Sequence, residues 1–354
     1  MSVPVRVADF CARYRLRVPI LLAPMAGVPA PELSIAVAAA GGAGACGVVS
    51  MGPREITDWC VTFRERSSGP FQLNNWIPDP RPARDAVREA RVRELLERWG
   101  PPIPADAGST IPPFDAQCEA MIAVKPPIVS SIMGLFPQAI VERLKEAGIA
   151  WFATATTVDE ARAAEDAGAD VVIAQGAEAG GHRGAFDAAD AMTRMVGLFA
   201  LVPSIVDAVR VPVIAAGGIA DGRTMAAALT LGASAVQIGT GFLRTPEAAI
   251  HPAWADALAH TSPERTVVSR VFSGRPGRSL STAYVRAAIA PDAPEPAPYP
   301  VQRGLTAPMR ADGVAHGDVE RMQAWAGQNA ALAKAMPAAE LIERLWADAQ
   351  ALLT

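Results

Sequence analysis

Short apolar runs rich in β-branched side chains recur along this chain at nearly regular intervals, and each is bounded by turn residues. Such runs suit strands covered on both faces. The first is Pro19-Ile20-Leu21-Leu22-Ala23, which ends in Pro24-Met25-Ala26-Gly27. Others are predicted at 45–49, at 71–76 (ending in amides), at 128–132, 151–154, 171–174 and 213–216, and from Ala235 into Gly239-Thr240-Gly241. Between them lie helical patterns. Residues 31–40 carry Leu33, Val37 and Ala40 on one face, and 57–65 suit a helix. Pro137 opens another helix with Ile140, Leu144 and Ala147 on one face, at a position where its missing N–H costs nothing. Thr157 and Glu160 have the spacing of a capping box, and further helices are predicted near 204–209 and 222–231.

Eight strands alternating with helices predict a parallel sheet closed into a (β/α)8 TIM barrel. An open doubly wound sheet is the other possibility, but no G-x-G-x-x-G follows the first strand. Two segments break the rhythm. Residues 77–127 hold two proline clusters around an Arg/Glu-rich helical run from Arg84 to Trp99, and are expected to be an insertion after the third strand. Residues 243–354 are expected to form a helical C-terminal appendage packed on the barrel of 1–242, covering its mouth or its side. Leu341, Leu345 and Leu352 stand at helical spacing near the end.

Composition narrows the function classes. The chain is 51% hydrophobic and 19% charged, which is globular, and its formal net charge of −4 gives no nucleic-acid footprint. Cys11, Cys46, Cys60 and Cys118 show neither C-x-x-C pairing nor zinc-ligand spacing, so free thiols in a reducing compartment are expected. The apolar stretch 20–30 is broken by Pro24 and Pro29 and is too short to span a bilayer, so no membrane association is expected and the protein is placed in the cytoplasm.

The strand ends carry the candidate chemistry. Met25, Asn74, Gln175 with the loop Gly180-Gly181-His182, then Gly217-Gly218, and Gln237 with Gly239-Thr240, all follow predicted strands. In a closed barrel they converge on one face. The glycine pairs follow the seventh and eighth strands, where bare backbone N–H groups and a nearby helix N-terminus favour a phosphate. His251, His260 and His316 have no ligand partners at metal spacing, and no G-x-S-x-G nucleophile elbow is present. A phosphate site without metal or nucleophile suggests a phosphorylated cofactor, although glycine pairs alone can also serve only to close tight βα turns. FMN fits both the phosphate site and the amides, though spacing alone does not separate it from pyridoxal phosphate. That cofactor needs a Schiff-base lysine, and Lys125, Lys145 and Lys334 are poorly placed for one.

These residues resemble the nitronate monooxygenases, formerly called 2-nitropropane dioxygenases. The resemblance rests on the pieces 23–27, Ala179-Gly180-Gly181-His182-Arg183-Gly184, Ala215-Ala216-Gly217-Gly218-Ile219, Gln237-Ile238-Gly239-Thr240 and Trp325-Ala326-Gly327-Gln328. It implies an FMN-dependent enzyme that oxidises alkyl nitronates, with nitroalkanes as a wider possibility, using O2 and giving a carbonyl compound and nitrite. It implies FMN contacts from Asn74, Gln175, Gly180, Gly217, Gln237, Gly239 and Thr240, with Met25, Gly181 and Gly218 beside them. His182 would be the catalytic base or would orient the substrate, as a group titrating near neutrality can. The same glycine-histidine loop occurs in FMN-dependent NAD(P)H reductases of enoyl thioesters and quinones, which are the alternative reading.

Overall fold

The computed structural model describes residues 2–26, 28, 30–108 and 111–353, so Gly27 and Pro29 of the first strand's loop lie outside the described residues. Eight strands carry the architecture: β1 (Ile20–Leu22), β2 (Gly44–Gly47), β3 (Phe71–Trp76), β4 (Ile128–Ile132), β5 (Ala150–Ala155), β6 (Val171–Gln175), β7 (Val213–Ala216) and β8 (Ala235–Ile238). They pair in parallel in the order β1-β8-β7-β6-β5-β4-β3-β2. A parallel bridge between Leu21 and Ala43 joins the two ends, which makes the predicted (β/α)8 barrel. Strand alternation sorts the core. Val172 and Ala174 of β6 pack outward under the helices, while Val171 and Ile173 pack inward with Phe152, Ile214 and Ala235.

The N-terminal mouth is plugged by α1 (Val3–Tyr14), whose Phe10 and Tyr14 join the inner cluster. Tyr14 sits edge-on to Phe152, with ring centroids 4.9 Å apart. Around the barrel run α2 (Glu32–Ala39), α3 (Pro53–Arg66), α6 (Gln138–Glu146), α7 (Val158–Asp166), α8 (Leu198–Ala208) and α9 (Gly222–Thr230). At α7 only half of the expected capping box forms. Thr157 accepts from Glu160 N, but the Glu160 carboxylate turns to Thr156 N at 2.6 Å and to Phe186 N at 2.8 Å, tying the loop after β6 to this helix.

The 77–127 segment divides in two. Its first helix, α4 (Ala86–Leu96), sends Val92 and Leu96 into a second small core with Val271, Phe272, Tyr284, Leu305 and Met309. Its second, α5 (Phe114–Val124), packs on α3 and β3 and supplies the barrel helix between β3 and β4. The excursion from the barrel rhythm is therefore shorter than the proline clusters imply.

Beyond β8 the chain is not wholly helical. It holds α10 (Pro252–Ala259), α11 (Ala283–Ala288), α12 (Val301–Leu305) and α13 (Ala307–Ala315), but also an antiparallel hairpin, β9 (Thr266–Ser269) and β10 (Gly277–Leu280). The hairpin escapes sequence reading because its strands are four residues long and include Arg278, Ser279 and Ser269, so no apolar alternation marks them. The last helix, α14 (Ala338–Leu353), returns to the barrel wall between α9 and α2 and buries Ala338, Leu341, Ile342, Leu345 and Ala349. It occupies the place of the eighth barrel helix. We keep the division at residue 242 as a proposal about domains, with α14 crossing it.

Candidate active site

A cavity of about 340 Å³ opens at the C-terminal ends of the barrel strands. Every residue singled out from the sequence lines it: Met25 after β1, Asn74 in β3, Gln175 with Gly180, Gly181 and His182, Gly217 and Gly218 after β7, and Gln237, Gly239 and Thr240 at β8. They arrive together because parallel strands in a barrel all end on the same face.

Neighbours set which way each buried amide points. Asn74 Nδ2 donates to Ser130 Oγ at 3.0 Å, which leaves Asn74 Oδ1 as an acceptor. Gln72 Nε2 donates to Gln237 Oε1 at 2.9 Å and to Leu22 O at 3.0 Å, so Gln237 keeps its amino group as a donor. Gln175 is employed differently. Its Oε1 accepts from Gly184 N at 2.8 Å and its Nε2 donates to His182 O at 3.1 Å, so this side chain fastens the histidine loop to its own strand. Arg183, 1% exposed, adds a bond from Nη1 to Gly176 O at 2.7 Å. Burial pulls its guanidinium down to about 10, with Nε and Nη2 left without partners.

The glycine turns offer backbone. Gly217 and Gly218 have φ of +119° and +65°, a region that side chains rarely tolerate. Among the described residues, the N–H groups of Gly217, Gly218, Gly239 and Thr240 have no protein acceptor. At the N-terminus of α9, Asp221 accepts from Thr224 N at 2.9 Å, so a carboxylate already occupies one of that helix's free N–H groups. The bare N–H groups of the loops are the donors left open beside it. Thr240 Oγ1 accepts from Gly327 N at 2.9 Å, which leaves the hydroxyl proton for another partner. In the same strip, Gln328 N donates to Glu178 O at 3.0 Å and Asn329 Nδ2 to Gly218 O at 2.5 Å, so residues 327–329 bind three strand-end loops together.

His182 is held by backbone pairing, two aromatic rings and a serine. Gly181 and His182 form a short strand paired with β10, in the register Gly277↔His182 and Arg278↔Gly181. The imidazole lies edge-on to Trp76, with ring centroids 4.6 Å apart, and tilted on Trp325 at 4.8 Å. Its Nε2 is 2.7 Å from Ser273 Oγ. Burial first, then the charges of Arg275, Arg303 and Arg310, draw the imidazole down to about 3 from its ordinary 6.5. It does not titrate near neutrality as the sequence reading expects. The glycine context speaks of access and is silent on the three arginines.

Those arginines, together with Trp76 and Tyr299, are what sequence reasoning misses; Trp325 is marked only as part of the resemblance, without a place in the site. Trp76, Tyr299 and Trp325 line the cavity with Arg303, Arg310 and Gln323. Arg310 donates from Nη1 to Gln323 Oε1 at 2.8 Å and from Nη2 to Arg303 O at 2.9 Å. No carboxylate pairs with it among the described residues, and burial draws its guanidinium down to about 10. A cationic wall facing a histidine, over unengaged N–H groups, favours an anionic ligand. No cluster of metal-ligating side chains is found among the described residues.

Comparison with known proteins gives a consistent answer. A family description reading nitronate monooxygenase matches residues 12–348. A nitronate monooxygenase of Paraburkholderia phytofirmans is 40% identical over 334 residues, covering 92% of this chain and 91% of the relative. Among solved structures, a nitroalkane oxidase from Streptomyces ansochromogenes superposes with a TM-score of 0.90 at 35% identity, over 97% of this chain and 100% of that one. FabK from Thermotoga maritima follows at a TM-score of 0.74 and 30% identity, over 98% and 96%.

Proposed function

This chain belongs to the nitronate monooxygenase family of flavin-dependent oxidoreductases, and from that premise we propose that it oxidises alkyl nitronates with O2 on a bound FMN, releasing a carbonyl compound and nitrite. The observation that carries this reading is the donor set of one cavity. Unengaged N–H groups at 217–218 and 239–240 suit a phosphate, and the acceptor of Asn74 with the donor of Gln237 suits a ring of mixed polarity. FMN bound there would supply the electron acceptor. The protein's own part is positional and electrostatic. Arg303 and Arg310 favour a substrate that arrives as an anion, Trp76 and Trp325 hold the imidazole, and His182, neutral at rest, becomes a proton acceptor for a carbon acid only once negative charge bound at the site offsets the three arginines. The four cysteines are unpaired, which supports a reducing, cytoplasmic setting.

The test has two arms. Purified protein should be yellow, release FMN on denaturation, and consume O2 with propyl-2-nitronate. Anaerobic NADH or NADPH should leave its flavin spectrum oxidised on the timescale of turnover; rapid bleaching would replace this reading with the enoyl thioester or quinone reductase. If His182 takes the proton, His182→Asn should cost the neutral nitroalkane at least about 10²-fold in rate and the preformed nitronate far less. Flavin content should stay near normal, because the phosphate site lies on other loops. Equal losses on both substrates would make His182 an orienting group.

A further inference from the structure

We propose that Ser273 fixes His182 in a single tautomer, with the ring proton on Nε2 and the lone pair on Nδ1. Its use in the reaction rests on His182 being the group that takes the substrate proton, but the tautomer follows from geometry alone.

A serine hydroxyl has one proton to give and two lone pairs. Ser273 is fully buried, and its Oγ lies 3.1 Å from the carbonyl oxygen of Arg275, which can only accept. The hydroxyl proton goes there. Arg275 N donates back to the same Oγ at 3.3 Å. What Oγ offers His182 across 2.7 Å is therefore a lone pair, and Nε2 must be the donor. The opposite arrangement would turn the hydroxyl proton toward the ring and leave the Arg275 carbonyl unpaired in a buried turn.

The turn has little freedom to adopt that alternative. Gly274 has φ +88°, and a Cβ there would lie 2.4 Å from Ala297 O. Arg275, 1% exposed, is anchored at both ends of its guanidinium, by an ion pair with Asp79 and by Ala185 O at 2.5 Å. The charges acting on the ring are those of Arg275, Arg303 and Arg310, while the Asp79 carboxylate is spent on Arg275. Tyr299, packed on Trp76, is held neutral because burial pushes its phenol up to about 12. Nothing around the imidazole rewards a second proton in the resting protein, and the Ser273 contact decides where the one proton sits.

The consequence for chemistry is a single basic atom. When a neutral nitroalkane reacts, its C–H bond breaks, the electron pair stays on the substrate as the nitronate, and the proton forms a new bond to Nδ1. Nε2–H keeps donating to Ser273 throughout. Ser273 is thus a positioning residue.

Flavin-loaded protein labelled with ¹⁵N-histidine tests this by two-bond ¹H–¹⁵N correlation. The His182 signals are those missing from His182→Asn. They should show the Nε2–H pattern, unchanged between about pH 6 and 9. An Nδ1–H pattern, or a doubly protonated ring in that range, would overturn the proposal. In Ser273→Ala the two tautomers should mix, and kcat on a neutral nitroalkane should fall about tenfold with KM and flavin content near the parent's. Ser273→Thr, which keeps the hydroxyl, should restore both the spectrum and the rate to within about threefold. An unmixed Nε2–H pattern in Ser273→Ala would also refute it. Because the spectra need no turnover, a fixed Nε2–H ring in protein inactive on nitroalkanes would support the tautomer while removing the base.

Discussion

At the scale of single residues, the informative change is the one at His182. A histidine drawn down to about 3 is neutral over the whole working range, so kcat/KM for a preformed nitronate should show no limb near pH 6.5. A limb there that disappears in His182→Asn would contradict the burial argument. Stability responds to the same shift. Unfolded His182 binds a proton below its ordinary 6.5, whereas the folded side chain binds none until about 3, so acid favours the unfolded chain across that window. Above 6.5 neither state holds the proton and the contribution is flat. The urea midpoint of the parent should therefore fall more steeply than that of His182→Asn as pH drops from about 7 to 5. His182 was legible because it stands among glycines just after a buried strand. Ser273, which reaches His182, and Arg303 and Arg310, which reach the cavity, were not, since they come from about a hundred residues away and no local pattern marks an arginine that will face a pocket.

At the scale of elements, the glycine turns separate into those that tolerate a methyl group and those that do not. Gly239 has a negative φ, and its Cβ would meet only Ala23 Cβ at 3.3 Å and Met25 Sδ at 3.5 Å. Gly239→Ala should thus keep the fold and lower flavin content severalfold, read as the ratio of visible to ultraviolet absorbance. Normal flavin content would move the phosphate elsewhere. Gly217→Ala is a poorer probe. Its φ of +119° and the Ala179 N atom 3.0 Å from the new carbon should cost about 1–3 kcal/mol in the fold itself, visible as a lower denaturation midpoint. The eight barrel strands were legible from their buried β-branched runs. The α1 plug carries a pattern just as clear (Val7, Phe10, Cys11 and Tyr14), but reading from the first apolar strand onward passes over it. The β9–β10 hairpin had no such signal, because its partners are a polar strand and two residues of a distant loop.

At the scale of the whole molecule, the barrel is completed by its last segment. α14 follows β8 only after the chain has built the hairpin, α10 to α13 and the strip at 327–329, so its place in the wall is hidden from any reading that pairs each strand with the next helix. Leu345, 3% exposed between α9 and α2, should cost about 2–5 kcal/mol when cut to alanine, measured by chemical unfolding. A cost under about 0.5 kcal/mol, typical of surface positions, would mean that α14 is a passenger.

The binding strip and the closing helix both lie near the end of the chain, and this has a meaning for biosynthesis. A polypeptide emerges from the ribosome N-terminus first, and its early parts fold as they appear. All eight barrel strands can pair while Gly327, Gln328 and Asn329, which bind the three cofactor-side loops together, are still unmade. Flavin loading should therefore follow chain release. Nascent chains arrested before about residue 327 should retain no flavin, however much of the barrel has already formed.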